Sequence, residues 1–229
     1  MNTQILAGLL RETERPDLEF KSEWYRIDDT NQNIQEAARH EMVKDILALV
    51  NGVPNKAAEP TYLIIGAADK IDENGERPVF DIDPSVINRK TILDIVDSHS
   101  NPRIPNLDCL SVSYQGKTLV VIELAPSYSL HETTKRLTTK GDEGKKTKTY
   151  QEFAVFVRHG EKIGLASQQE RESIIAMKRV SFTNVTHVPP TSFGAAIGAI
   201  IGLIVMPPAA EKILGKKEGY QAGLIAGPP

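Results

Sequence analysis

Glu14 and Glu19 flank the turn Arg15-Pro16, and Asp69 follows directly on the apolar run Thr61 to Ala68. If that run is a strand lying beside residues 17–21, three carboxylates meet at one sheet edge. Like charges held close repel and desolvate one another. A hard divalent ion, Mg²⁺ or Mn²⁺, relieves such a cluster through oxygen ligands. A metal held this way activates water and steadies the leaving oxygen, which is the chemistry of phosphodiester cleavage. Spacing alone favours the plainer alternative, three solvated turn carboxylates. Lys21 stands two positions after Glu19, on the same face of a strand. There it suits a scissile phosphate, or else a surface ion pair.

A second group of residues has the chemistry of phosphate binding. Residues 133–149 hold Lys135, Arg136, Lys140, Lys145, Lys146 and Lys148 against Asp142 and Glu143. They read as a flexible basic loop between two strands. Such loops track phosphate backbones without reading sequence; a solvated charge run is the alternative. Arg158 ends a strand where it can bind phosphate, and His159 beside it reads as structural. Trp24 and Tyr25 have rings that stack on bases, although packing in the core or at an edge is the commoner use.

The composition narrows the classes. The 229 residues carry 27 basic and 30 acidic side chains, net −3, so a nucleic-acid surface has to be a local patch. Hydrophobic residues make up 40%, enough for a packed core. The single cysteine, Cys109, excludes a disulfide framework and a Cys-rich zinc site. There is no G-x-x-x-x-G-K-[ST], no G-x-G-x-x-G and no G-x-S-x-G. The start lacks an apolar signal region, and the chain reads as cytoplasmic.

The elements that must position these residues follow from periodicity. Helices are expected at 2–11, at 33–50 (closed by Asn51-Gly52), at 84–98, and from a Ser167/Glu170 capping box to about 180. Strands are expected at 17–21, 61–68 and 153–158, with a hairpin of 107–114 and 118–124 about Gln115-Gly116. Helices interleaved with strands and a hairpin give an α+β or α/β domain over 1–183.

Five segments in order resemble Schlafen-type domains, the divergent Alba-like domains once described as divergent AAA ATPases. They are Glu14-x4-Glu19-Phe20-Lys21, DILALVNG, LIIGAAD, VVIELAPSYSLHET and FAVFVRHGEKIGLAS, spread over roughly residues 10–180. The resemblance implies an α+β fold, a mixed sheet with flanking helices. It implies Glu14, Glu19 and Asp69 as catalytic metal ligands with Lys21 beside them. It also implies a Mg²⁺- or Mn²⁺-dependent ribonuclease acting on tRNA or other structured RNA, in a bacterial defence role. The alternative it implies is a non-catalytic module binding nucleic acid or a nucleotide. The chain departs from the family pattern in the longer connection VPNKAAEPT after Gly52. It has one such domain where the animal nucleases use two halves, so an equivalent groove requires a homo-oligomer.

Residues 184–229 form an appended tail. The stretch 188–210 has no charge, and Gly194, Gly198 and Gly202 recur at one-turn spacing, a helix-packing pattern of membranes. The Pro-free run 191–206 falls short of the roughly 20 residues a bilayer needs. Including 207–210 reaches that length with a kink. Insertion into an inner membrane through 191–210 and assembly between protomers are both open.

Overall fold

A computed structural model describes residues 1–186, apart from 53–58, 74, 141–146 and 161, and apart from the side chains of Lys140 and 181–186. Lys145, Lys146, the three tail glycines and the expected membrane segment 191–210 lie outside the described residues. The described body is the first of two units into which the chain divides, Met1–Val185 and Thr186–Pro229.

The order of elements is α1 (Thr3–Leu9), β1 (Leu18–Lys21), α2 (Gln32–Asn51), β2 (Thr61–Ile65), α3 (Arg89–Asp97), β3 (Ser100–Asn101), β4 (Leu107–Tyr114), β5 (Lys117–Leu124), β6 (Glu132–Thr133), β7 (Leu137–Lys140), β8 (Thr147–Tyr150), β9 (Phe156–His159), β10 (Lys162–Leu165) and α4 (Gln168–Thr186). The main sheet runs β1-β2-β5-β4. β1 lies parallel to β2 after the α2 crossover, with Glu19 opposite Leu63 and Lys21 opposite Ile65. The other two pairings are antiparallel. This is a mixed sheet in an α+β domain, as the sequence implies.

Alternation divides the sheet into two faces. Leu18, Phe20, Ile64, Leu119 and Val121 pack under Leu6, Leu9 and Leu10 of the α1 region. Leu63, Ile65, Val120 and Ile122 pack against Val43, Ile46 and Val50 of α2 and Ile92 and Val96 of α3. Glu19 and Lys21 alternate with Leu18 and Phe20, so they point to the α2 side. That parity brings the charged residues of β1 against α2.

The β4–β5 turn at Gln115-Gly116 has φ of 51° and 74°, the two left-handed residues of a tight hairpin. The Ser167/Glu170 capping box forms, with Glu170 accepting from the Ser167 amide and hydroxyl at 2.8 Å each. Three expectations change. The helix expected at 84–98 starts at Arg89, because the Asn88 side chain caps it by accepting from the Thr91 amide at 3.1 Å; Pro84–Val86 is a separate 3₁₀ turn. β2 ends at Ile65, because Gly66 turns the chain at φ 94° with Phe80 backbone oxygen 2.7 Å from where a Cβ would sit. The basic loop contains a β-hairpin, β7 with β8, which pairs Leu137 with Tyr150 and Thr139 with Lys148. Threonine-rich alternation favours strand, and Leu137 is anchored in the core.

Among the described residues no helix is long and apolar enough to cross a membrane.

Candidate functional site

Glu14 lies in the turn before β1 and Glu19 in β1, and the structure brings them together on one cation. Arg158 of β9 donates from Nη2 to Glu14 Oε2 at 2.6 Å, and its Nη1 contacts Glu19 Oε2. The three side chains are 3%, 13% and 5% exposed for Arg158, Glu14 and Glu19. The remaining oxygens are also taken. Glu14 Oε1 accepts from the Phe20 amide at 3.2 Å, and Glu19 Oε1 faces Lys21 Nζ at 3.0 Å.

Lys21 continues the network to α2. Its Nζ lies 3.2 Å from Asp45 Oδ2, which also accepts from the Tyr25 hydroxyl at 2.6 Å. Lys44 Nζ lies 3.5 Å from Asp45 Oδ1 and pairs with Glu41. Burial works against the charge of Lys21, but the nearby Asp45, then Glu41 and Asp69, outweigh it and raise its pKa. Lys44 is raised the same way, burial being outweighed by Asp45 and Glu41. Burial and then the Asp45 charge raise Glu41 and push the Tyr25 hydroxyl well up. Tyr25 is thus a core residue that holds Asp45, not a stacking platform.

These groups open onto a cavity of about 250 Å³ lined by Glu19, Lys21, Glu41, Lys44, Asp45, Thr139, Lys148, Tyr150, Lys162 and Ile163. Two residues singled out in β1 and one in the basic hairpin, Lys148, therefore share one pocket. A second cavity of about 490 Å³ is lined by Arg136 with Thr138 and the first turns of α2, and Thr139 lines both. Lys135 is exposed on the connection into the hairpin.

Two expected site residues are placed elsewhere. Asp69 is exposed after β2 and does not join the glutamates: among the described residues no group of three His, Cys, Asp or Glu side chains is set to hold a metal. Arg158 is enclosed between the glutamates, so its guanidinium is spent on them and not on a phosphate. The Mg²⁺ or Mn²⁺ implied by the resemblance meets the same obstacle. A hard divalent ion needs free carboxylate oxygens, and all four oxygens of Glu14 and Glu19 already face donors. The residues do not fit the metal.

Sequence reasoning missed Glu41, Lys44, Asp45 and Lys162. For Asp45 a signal was present. It falls on the apolar stripe of α2 with Met42, Ile46 and Leu49, and a charge on such a stripe demands partners. A different buried cluster lies at the end of α2. His131 Nδ1 bonds Pro102 oxygen at 2.7 Å and its Nε2 bonds Ser127 Oγ at 2.5 Å, and burial lowers its pKa to about 4. This imidazole is wholly buried and neutral, and it ties loops together.

No family model matches the chain, and no curated protein matches it. Solved structures are similar to it, among them two of low identity and partial overlap. One is a crystal structure of a Corynebacterium diphtheriae protein, 12% identical with a TM-score of 0.41; the match covers 69% of this chain and 23% of that one. The other is the solution structure of the N-terminal domain of an ATP-dependent DNA helicase RecG-related protein from Nitrosomonas europaea. It is 20% identical with a TM-score of 0.35, and the match covers 55% of this chain and 72% of that one.

Proposed function

We propose that this chain carries a Schlafen-type domain that binds the phosphate backbone of RNA, with tRNA as the first substrate to try. What carries the reading is the pocket in which Lys21, Lys44, Lys148 and Lys162 converge. Its carboxylates are neutralised from within, by Arg158 behind Glu19 and by the two pocket lysines around Asp45. The pocket can therefore attract an anion. Arg136 and Lys135 extend the basic surface along the hairpin, and phosphate contacts of this kind position a strand without specifying its sequence. Binding a backbone is the function this geometry supports best, in preference to metal-dependent cleavage.

Cleavage remains the second reading for one reason: Glu14 and Glu19 do converge, with Lys21 beside Glu19. Incubating tRNA with wild type and Glu19→Ala, with Mn²⁺ or Mg²⁺, separates the two. Cutting by wild type alone establishes the nuclease; intact tRNA with both leaves the binding module. The tail 184–229 belongs to this reading as an assembly element, tested by whether its deletion changes oligomer size or membrane association.

Binding itself is tested by fluorescence anisotropy on labelled tRNA across a salt series. Lys148→Ala with Lys162→Ala should weaken binding and flatten the slope of log K on log salt by about two, roughly one for each phosphate no longer neutralised. An unchanged slope removes the pocket from the interface.

A further inference from the structure

Arg158 occupies the space on which the buried Glu19 and the largely enclosed Glu14 converge. We infer that Arg158 is a built-in counter-cation standing where a divalent metal would stand between Glu14 and Glu19, so that the pocket takes a phosphodiester without Mg²⁺ or Mn²⁺. The inference rests on the reading of the pocket as a phosphate site.

Charge and access both lead there. Two carboxylates buried side by side are tolerable only with a cation between them or with one of them protonated. A guanidinium supplies one with fixed geometry and never loses its charge. Here it reaches both partners at once from β9, with 3% of its side chain exposed. Its Nε is fixed as well, donating to Gly160 oxygen at 3.0 Å. A metal entering this position has to expel a guanidinium enclosed on nearly every side, and it has to displace the Phe20 amide and Lys21 from the other two oxygens. Stripping a buried charge of its partners is costly in itself.

The balance beyond the pair points the same way. The glutamate pair and the pocket together hold four carboxylates, Glu14, Glu19, Glu41 and Asp45. Against them stand five cations: Arg158, Lys21, Lys44, Lys148 and Lys162. Within this set the carboxylates do not outnumber the cations, with no ion added. A metal-built phosphate site runs the other way, its carboxylates outnumbering the protein's own cations until the metal arrives.

The test uses the full chain and two readouts. Mn²⁺ is titrated into wild type and Glu19→Gln and followed by calorimetry or Mn²⁺ electron spin resonance. Separately, tRNA affinity is measured in EDTA and in Mn²⁺. The expected result is no Glu19-dependent Mn²⁺ uptake, and tRNA affinity that agrees in the two buffers within about twofold. Arg158→Met removes the counter-cation and should create a Mn²⁺ site on the released glutamates. Mn²⁺ binding to wild type that disappears in Glu19→Gln overturns the inference. So does a folded Arg158→Met that takes up no Mn²⁺. Should Arg158→Met fail to fold, the wild-type and Glu19→Gln titrations decide alone. Wild type that binds no tRNA in either buffer defeats the phosphate reading, a result distinct from any Mn²⁺ outcome.

Discussion

Glu19 and Phe20 are neighbours in β1 that point to opposite faces of the sheet, and each meets a buried arginine held in a different way. On the α2 face, Arg158 is held by charge, between Glu14 and Glu19. On the α1 face, Arg77 is held by dipoles. Its guanidinium carbon lies 3.5 Å over the Phe20 ring, and its nitrogens donate to the carbonyls of Leu10 at 3.3 Å, Glu12 at 2.6 Å and Ala68. Leu10 and Glu12 lie at and just past the end of α1, where carbonyls lack intrahelical donors and attract cations. Lys178 repeats the device at the end of α2, donating to Val50 oxygen at 2.8 Å and Ser127 oxygen at 2.7 Å. Cations held on carbonyls spend their hydrogen bonds on backbone at helix ends and in loops. The cation held on carboxylates neutralises the glutamates beside the pocket.

The largest effect should come from breaking the charge-held side. Arg158→Met leaves two buried carboxylates facing each other, and losing one partner of a buried pair costs about 3–5 kcal/mol. Glu19→Gln in the same chain removes one of the two charges. The double variant should therefore be more stable than Arg158→Met alone, in a urea-unfolding cycle. Strictly additive losses would mean that Arg158 and Glu19 do not act on each other.

The dipole-held side should lose less. Arg77→Met orphans three carbonyls and removes the cation from the Phe20 ring, about 2–3 kcal/mol by the same unfolding measurement. Arg77→Lys should recover less than half, since one ammonium cannot reach the geometry of a planar fork. Full recovery would show that charge alone is needed there.

Lys178 makes the difference visible in pH. Burial lowers its pKa to about 8 from 10.5. Between those values the unfolded chain keeps a proton that the folded chain has released. Stability contributed at this position therefore rises as pH goes from about 8 to 10.5. Relative to Lys178→Met, wild type should gain on the order of 2 kcal/mol across that window. A flat difference would show that its two carbonyls hold the ammonium as well as water does.

Much of the fold was legible because it rests on short-range pattern. The β4–β5 hairpin follows from Gln115-Gly116 between alternating runs, and α4 from the Ser167/Glu170 box. The meeting of β1 with β2 could be posed as a condition, and it holds. What could not be read was partner choice at long range. Arg158 is 144 residues from Glu14, and an arginine that ends a strand looks the same whether it faces phosphate or carboxylate. Arg77 gave no signal at all, since its acceptors are backbone carbonyls and carry no residue type. Asp69 was placed by order along the chain, and past the turn at Gly66 it stands exposed, in no three-residue group set to hold a metal among the described residues.

The smallest expected effect isolates burial from pairing. Arg89 and Asp108 form the same kind of contact as Arg158 and Glu14, with Nε 2.8 Å from Oδ1. Here the side chains are 57% and 49% exposed. The Arg89 hydrogen bond, followed by that of the Cys109 amide, holds the Asp108 carboxyl below its usual range, so the pair is ionised at neutral pH. Water already solvates both partners, and exposed pairs of this kind contribute about 0–1 kcal/mol. Arg89→Ala should therefore cost less than about 1 kcal/mol, and that small loss should shrink further at high salt, where the Debye length falls to about 3 Å. The Arg158 loss, shielded from solvent, should hardly change with salt. If the two arginines lose stability in equal measure, or respond to salt alike, then enclosure between Glu14 and Glu19 is not what distinguishes Arg158.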